Sequence, residues 1–218
     1  MSLRSAVSIF LFTGLSCVSS LSGAAGIEEA IRPIQDEWAV IKYHTPDKQQ
    51  AERYHTLSQR AHQVVEANPG KPEPLIWEAI ALSSEAGAKG GLGSLSIAKE
   101  AKQQLEEALK LDDQALKGSA YTSLGTLYYK VPGWPIGFGD KARAEEYLKK
   151  SLSLNPGGID PNFFYGEYMF EREHYADALH YLDTALKAPA RPGREQADAG
   201  RRKEIQALIT RVKKQMEN

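Results

Sequence analysis

The feature that most constrains this chain is a spacing of small and large residues, most complete between Tyr121 and Pro156. Tyr121, Leu124, Gly125 and Tyr128 come first, then Ala144, Leu148 and Ser151, then Pro156. Offsets of three, four and seven put each set on one face of a helix. Gly125 and Ala144 are small enough to let two antiparallel helices cross closely, and the larger residues fill the space around the crossing. Pro156 follows the second helix, where it cannot continue it. Parts of the spacing recur as Ala101-x3-Leu105-x2-Ala108, and as Gly166 followed by Ala178-x3-Leu182-x2-Ala185. Asn68-Pro69-Gly70 returns as Asn155-Pro156-Gly157, 87 residues later, and at that offset Pro74, Trp77 and Ala79 become Pro161, Phe164 and Gly166. The chain therefore reads as a series of helical hairpins.

This spacing resembles the tetratricopeptide (TPR) repeat, W-x2-L-G-x2-Y…A-x3-F…P, with Tyr121 in the Trp place and Leu148 in the Phe place. The resemblance implies an all-α, right-handed solenoid. The expected organisation is one domain over 26–218, with hairpins over 27–70, 72–113, 114–157 and 159–190 and a capping helix over 195–216. Pro33 is expected to kink or restart the first helix. Glu73-Pro74 and Asp160-Pro161 are expected to open helices, with Asp160 as an acidic N-cap. Pro69 to Asp113 is 44 residues, Asp113 to Pro156 is 43, and Pro156 to Ala190 is 34. Only the last is the standard repeat length. The excess in the second and third repeats falls between their two helices, as loops 87–94 and 131–140.

Residues 1–25 read as a signal peptide. Arg4 is followed by the apolar stretch Ala6 to Leu15, and Ser22-Gly23-Ala24 offers a small-residue cleavage site. Such a run is too short for a spanning helix, which needs roughly 20 residues. Export to the periplasm with cleavage near Ala24 or Ala25 is expected, with lipidation at Cys17 as the second option. Cys17 is the single cysteine. Without it the mature chain has no thiol chemistry, and stability must come from helix packing. A formal net charge of -1 with no large basic block argues against nucleic acid as the main partner.

Two surfaces are candidates for binding. In loop 131–140, Trp134, Ile136 and Phe138 either meet a partner or plug the end of the helical core. On the inner face of the first helices, Ile76, Ile80, Thr122, Thr126, Tyr129, Phe163, Glu167 and Phe170 are expected to line an apolar groove, unless loops or the N-terminal hairpin fill it. His55 and His62 share a helix face but have no carboxylate at ligand spacing along the chain, so no metal is expected. Arg191, Arg194, Arg201, Arg202 and Lys203 read as a solvated face balanced by Glu195, Asp198 and Glu204, or as a surface for an acidic partner. No nucleophile–base arrangement is suggested, so no catalytic residue and no cofactor are assigned.

A narrower resemblance rests on Val131-Pro132-Gly133-Trp134-Pro135-Ile136-Gly137-Phe138-Gly139-Asp140, Lys141-Ala142-x-Ala144 and Asn155-Pro156-x2-Ile159-Asp160-Pro161-Asn162. These stretches are similar to exported bacterial TPR proteins of the TRAP-transporter-associated T component (TatT) group, and to the regulator of microtubule dynamics proteins. What this implies is a periplasmic, non-catalytic adaptor, in some members lipid-anchored or oligomeric. It would work with a solute-binding protein or an apolar ligand. The alternative is a scaffolding module of a cell-envelope assembly.

Overall fold

The small residues do what their spacing requires. A Cβ added at Gly125 would lie 2.6 Å from Leu148 Cγ and 3.2 Å from the Ala144 carbonyl oxygen. One added at Gly166 would lie 2.9 Å from Leu182 Cγ and 3.3 Å from the Ala178 carbonyl. These two hairpins are thus locked by the same crossing, helix backbone against the Ala–Leu face of the partner helix. The computed structural model describes residues 19–91 and 93–217, with side chains from residue 26 on. Among the described residues there are nine α-helices: α1 (Ser19–His44), α2 (Asp47–Ala67), α3 (Pro72–Lys89), α4 (Ser94–Leu111), α5 (Ser119–Lys130), α6 (Lys141–Leu154), α7 (Ile159–Glu171), α8 (Tyr175–Leu186) and α9 (Glu195–Met216). The architecture is an all-α solenoid of four hairpins followed by one helix. The expected cleavage site falls within or beside the first turns of α1, and the apolar export segment with Cys17 lies outside the described residues.

Three local expectations change. Pro33 does not restart the helix, since it sits inside α1, which runs on through it. Asp160 is not an N-cap: Gly158 holds that position, and Asp160 lies in the first turn of α7. The excess of the second repeat is not a loop over 87–94, because α3 and α4 each extend to 18 residues and leave only 90–93 between them. Ala86, Ala88 and Lys89 are good helix formers and carry α3 onward. It stops where Gly90 and Gly91 turn to positive φ, at 61° and 67°. The third repeat differs, since α5 ends at Lys130 and the excess remains a true loop.

The helices form two layers. α2, α4, α6 and α8 lie outside, while α1, α3, α5, α7 and α9 form the inner layer. Each inner helix contacts the next, and α9 also contacts α1, so the inner layer closes on itself as a ring of five. The main core spans α3 to α9, with Ile76, Ala79, Leu105, Leu124, Leu148, Leu182, Ile205 and Val212 all fully buried. A smaller core joins α1, α2 and α3 through Ile31, Ile41, Tyr54, Leu57 and Trp77. Ile80 touches both.

Candidate functional site

Loop 131–140 is built by its backbone. The residue before a proline is steered away from helical angles, so Val131 before Pro132 ends α5 in an extended conformation. The chain then turns back on itself. The Ile136 and Gly137 N–H groups both donate to the Gly133 carbonyl at 3.1 Å, Gly139 N–H donates to Pro132 O at 2.9 Å, and Asp140 N–H donates to Tyr128 O at 2.8 Å. The return strand passes so close that a Cβ on Gly139 would lie 1.9 Å from the Val131 carbonyl oxygen. Asp140 closes the loop by capping α6, its carboxylate accepting from the Ala142 and Arg143 N–H groups at 2.9 and 3.1 Å.

The apolar residues of this loop divide. Phe138 turns inward, edge-on to Tyr128 at 5.6 Å between ring centroids, with Lys102 of α4 5.9 Å above its ring. Phe138 is therefore an anchor and serves the plug role. Trp134 and Ile136 point outward, 90% and 63% exposed. A plug role for Trp134 is ruled out by that exposure. The loop meets the start of α4, where Leu95 comes within 3.2 Å of a Cβ placed on Gly137.

The inner-face residues do not line an open groove. Ile76 is fully buried and Phe163 is buried, both within the packed core. Ile80, Tyr129 and Phe170 are half-buried against that core. Thr122 is buried and hydrogen-bonded to Ser151. The Tyr129 hydroxyl donates to Glu167. Burial, followed by the charge of Glu167, holds the Tyr129 phenol well above its ordinary value. The covering element is α9, whose Arg201 lies 4.4 Å over the Phe163 ring and whose Arg211 lies 4.9 Å over Phe170. An apolar lumen is thus replaced by a packed one, because the final helix folds across the inner face as well as ending the stack.

The basic run is likewise divided. Arg201 is buried, with Nε donating to Asp160 at 2.9 Å and a terminal nitrogen donating to Glu204 at 2.8 Å. Arg191 bridges Asp160 at 2.6 Å and buried Asp198 at 2.7 Å. Burial alone would raise the Asp160 carboxyl, but Arg201 and Arg191 outweigh it and hold the group at about 2. Tyr43 of α1 donates to Glu204 at 3.1 Å, so the network ties α7 and α9 to α1. Gly200 makes the approach possible, since a Cβ there would lie 2.4 Å from the Tyr43 ring. Reading this run as a solvated face fails for Arg201 and Asp198. Burial of both signs together at one helix seam is not visible in a linear charge pattern.

No protein-family model matches the chain. No curated protein matches it either. Among solved structures, one of Pseudomonas aeruginosa PilF is similar at 17% identity, covering 88% of this chain and 92% of that one with a TM-score of 0.36. The hairpin crossings and their repetition define the fold.

The histidines of α2 do have carboxylate partners, supplied by α3. His62 Nδ1 lies 2.9 Å from Glu78, and His55 Nδ1 lies 3.0 Å from Glu85, while Ser58 donates to Glu85 at 3.0 Å. Glu78 and Glu85 are buried. The signal was present in the sequence: two histidines seven apart, followed by two glutamates seven apart on the next helix. The hydrogen bond and charge of Glu78 raise His62, and burial raises Glu78. These pairs join two helices and reach no bound group. Among the described residues, no cluster of three or more His, Cys, Asp or Glu is arranged to hold a metal ion. No described helix is long and apolar enough to cross a membrane.

Proposed function

We propose that this chain is a non-catalytic, exported interaction module that captures a partner protein through the Trp134–Ile136 tip of loop 131–140. The observation that carries the reading is the exposure of these two side chains on a backbone already fixed by its own hydrogen bonds. A large exposed aromatic on a rigid loop loses little conformational entropy on docking, and Trp is prominent among interface hot spots. The partner then supplies an apolar cleft. The resemblance to exported TPR adaptors points to a solute-binding protein, and the leader-like residues 1–25 favour the periplasm. A helical-repeat fold that offers protein contacts fits this role. An apolar small molecule held in the inner face has less support, since that face is packed.

The test is site-specific photo-cross-linking in the native host, with a photoreactive residue at position 134. The expected result is a discrete adduct that disappears when Ile136→Asp is introduced. The same adduct from a probe outside the loop, at exposed Lys71 in the α2–α3 turn, or its persistence in the Ile136→Asp background, would overturn the reading.

A further inference from the structure

We propose that the cleft between α1 and the start of α9 binds a small zwitterion of the α-amino-acid class, its carboxylate held by Arg194 and the first N–H groups of α9, its ammonium by Gln35 and Asp36. The cleft has a volume of about 410 Å³ and is lined by these residues together with Arg32, Ala39, Val40 and the turn at Gly193. That is within the range of small-molecule sites.

Four unmet groups converge there. The N-terminus of α9 has no side-chain cap, and its first helical bond is Asp198 N–H to Arg194 O at 2.8 Å. The N–H groups of Glu195, Gln196 and Ala197 precede that bond and have no partner within the helix. The Arg194 guanidinium lies over the ring of buried Trp77, 4.7 Å from its centroid, and is in no ion pair with a carboxylate among the described residues. Its neighbours differ: Arg191 and Arg201 are paired with Asp160, Arg202 donates to Ala188 O, and Arg32 is paired with Glu28. Gln35 is 4% exposed, yet its Oε1 has no hydrogen-bond donor. A buried acceptor left unpaired is costly, so one this deep calls for a donor. Asp36 is exposed, is in no ion pair among the described residues, and lies close enough to act on Arg194 electrostatically. Glu195 also lines the cleft; one of its carboxylate oxygens accepts from Gly193 N–H at 3.0 Å, which leaves the other to add to the pull on an ammonium.

An anion alone would satisfy Arg194 and the helix end but leave the Gln35 oxygen and Asp36 unmet. A cation alone would do the reverse. One molecule carrying both charges satisfies all four, and Ala39 and Val40 offer an apolar floor to its side chain.

The experiment is amide NMR on the full chain, titrating the L-amino acids one at a time, with acetate and propylammonium as half-ligands. At least one amino acid is expected to shift the Glu195, Gln196 and Ala197 amides saturably, with each half-ligand at least about tenfold weaker. Asp36→Asn, at an exposed position that does not threaten folding, should weaken that amino acid by a similar factor. Arg194→Gln should do the same while keeping a flat group over Trp77. Absence of a saturable shift would overturn the proposal, as would acetate binding as tightly as the best amino acid. An unchanged response in both variants would also overturn it.

Discussion

The second and third repeats each carry about ten residues more than a standard repeat, and they use them in opposite ways. In the second, the excess becomes helix, and α3 and α4 run 18 residues each around a four-residue link at 90–93. In the third, α5 and α6 are 12 and 14 residues long and the excess stays outside them as loop 131–140. What separates them is proline. The stretch after Ser84 has none before Ser94, so helix continues until glycines end it. Pro132 and Pro135 forbid that continuation in the third repeat. An insertion in a repeat array can therefore lengthen the stack's walls or build a projection, and a single residue type chooses between them.

The largest effect that would break this contrast is expected at Gly139. Gly139→Ala places a methyl group against the Val131 carbonyl. It should cost about 2–3 kcal/mol, lowering Tm by roughly 5–10 °C, with partner capture lost as the loop opens. Next is Gly90→Ala at the short link. Its φ of 61° with ψ near 180° is open only to glycine, so about 1–2 kcal/mol is expected by chemical denaturation, with partner capture intact.

A third prediction concerns the wall that the extended α3 makes with α2. His62 is raised by Glu78, and Glu78 is raised by burial. A raised His contributes stability below its unfolded value, about 6.5, and loses it as pH climbs through the folded value. A raised Glu likewise loses stability as pH rises. Both signs agree, with the Glu78 loss starting above about pH 4.5 and the His62 loss above about pH 6.5, so the denaturation midpoint should decline as pH is raised past 6.5, and His62→Gln should flatten that slope. The smallest effect should come from Trp134→Ala with Ile136→Ala. Stability should move by no more than about 0.5 kcal/mol for such exposed side chains, while capture of a partner by the tagged protein in its native host disappears. A large stability loss would make the tip a structural element after all.

The hairpin crossings could be read in the sequence because their determinants are local: a small residue on one helix and an Ala–Leu pair on the next, 19 and 23 positions on from Gly125 and 12 and 16 from Gly166. The outward turn of Trp134 beside the inward turn of Phe138 could not be read, because it depends on where the return strand crosses Val131. Nor could the seam of α9 against α1. In Arg201-Arg202-Lys203 all three residues look alike along the chain. Only the approach of Tyr43 over Gly200 and the position of Asp160 single out Arg201 for burial.

The contact of α9 with α1 has a thermodynamic consequence. A linear repeat array unravels from its ends, because a terminal repeat has a single neighbour and opens at the lowest cost. Here the residues joined at the seam lie 161 positions apart, as in Tyr43 to Glu204 and Arg32 to Gly193. Joining them removes the weak termini. Every hairpin then has support on both sides, opening any one of them loads the rest, and slow amide exchange should extend evenly around the circuit.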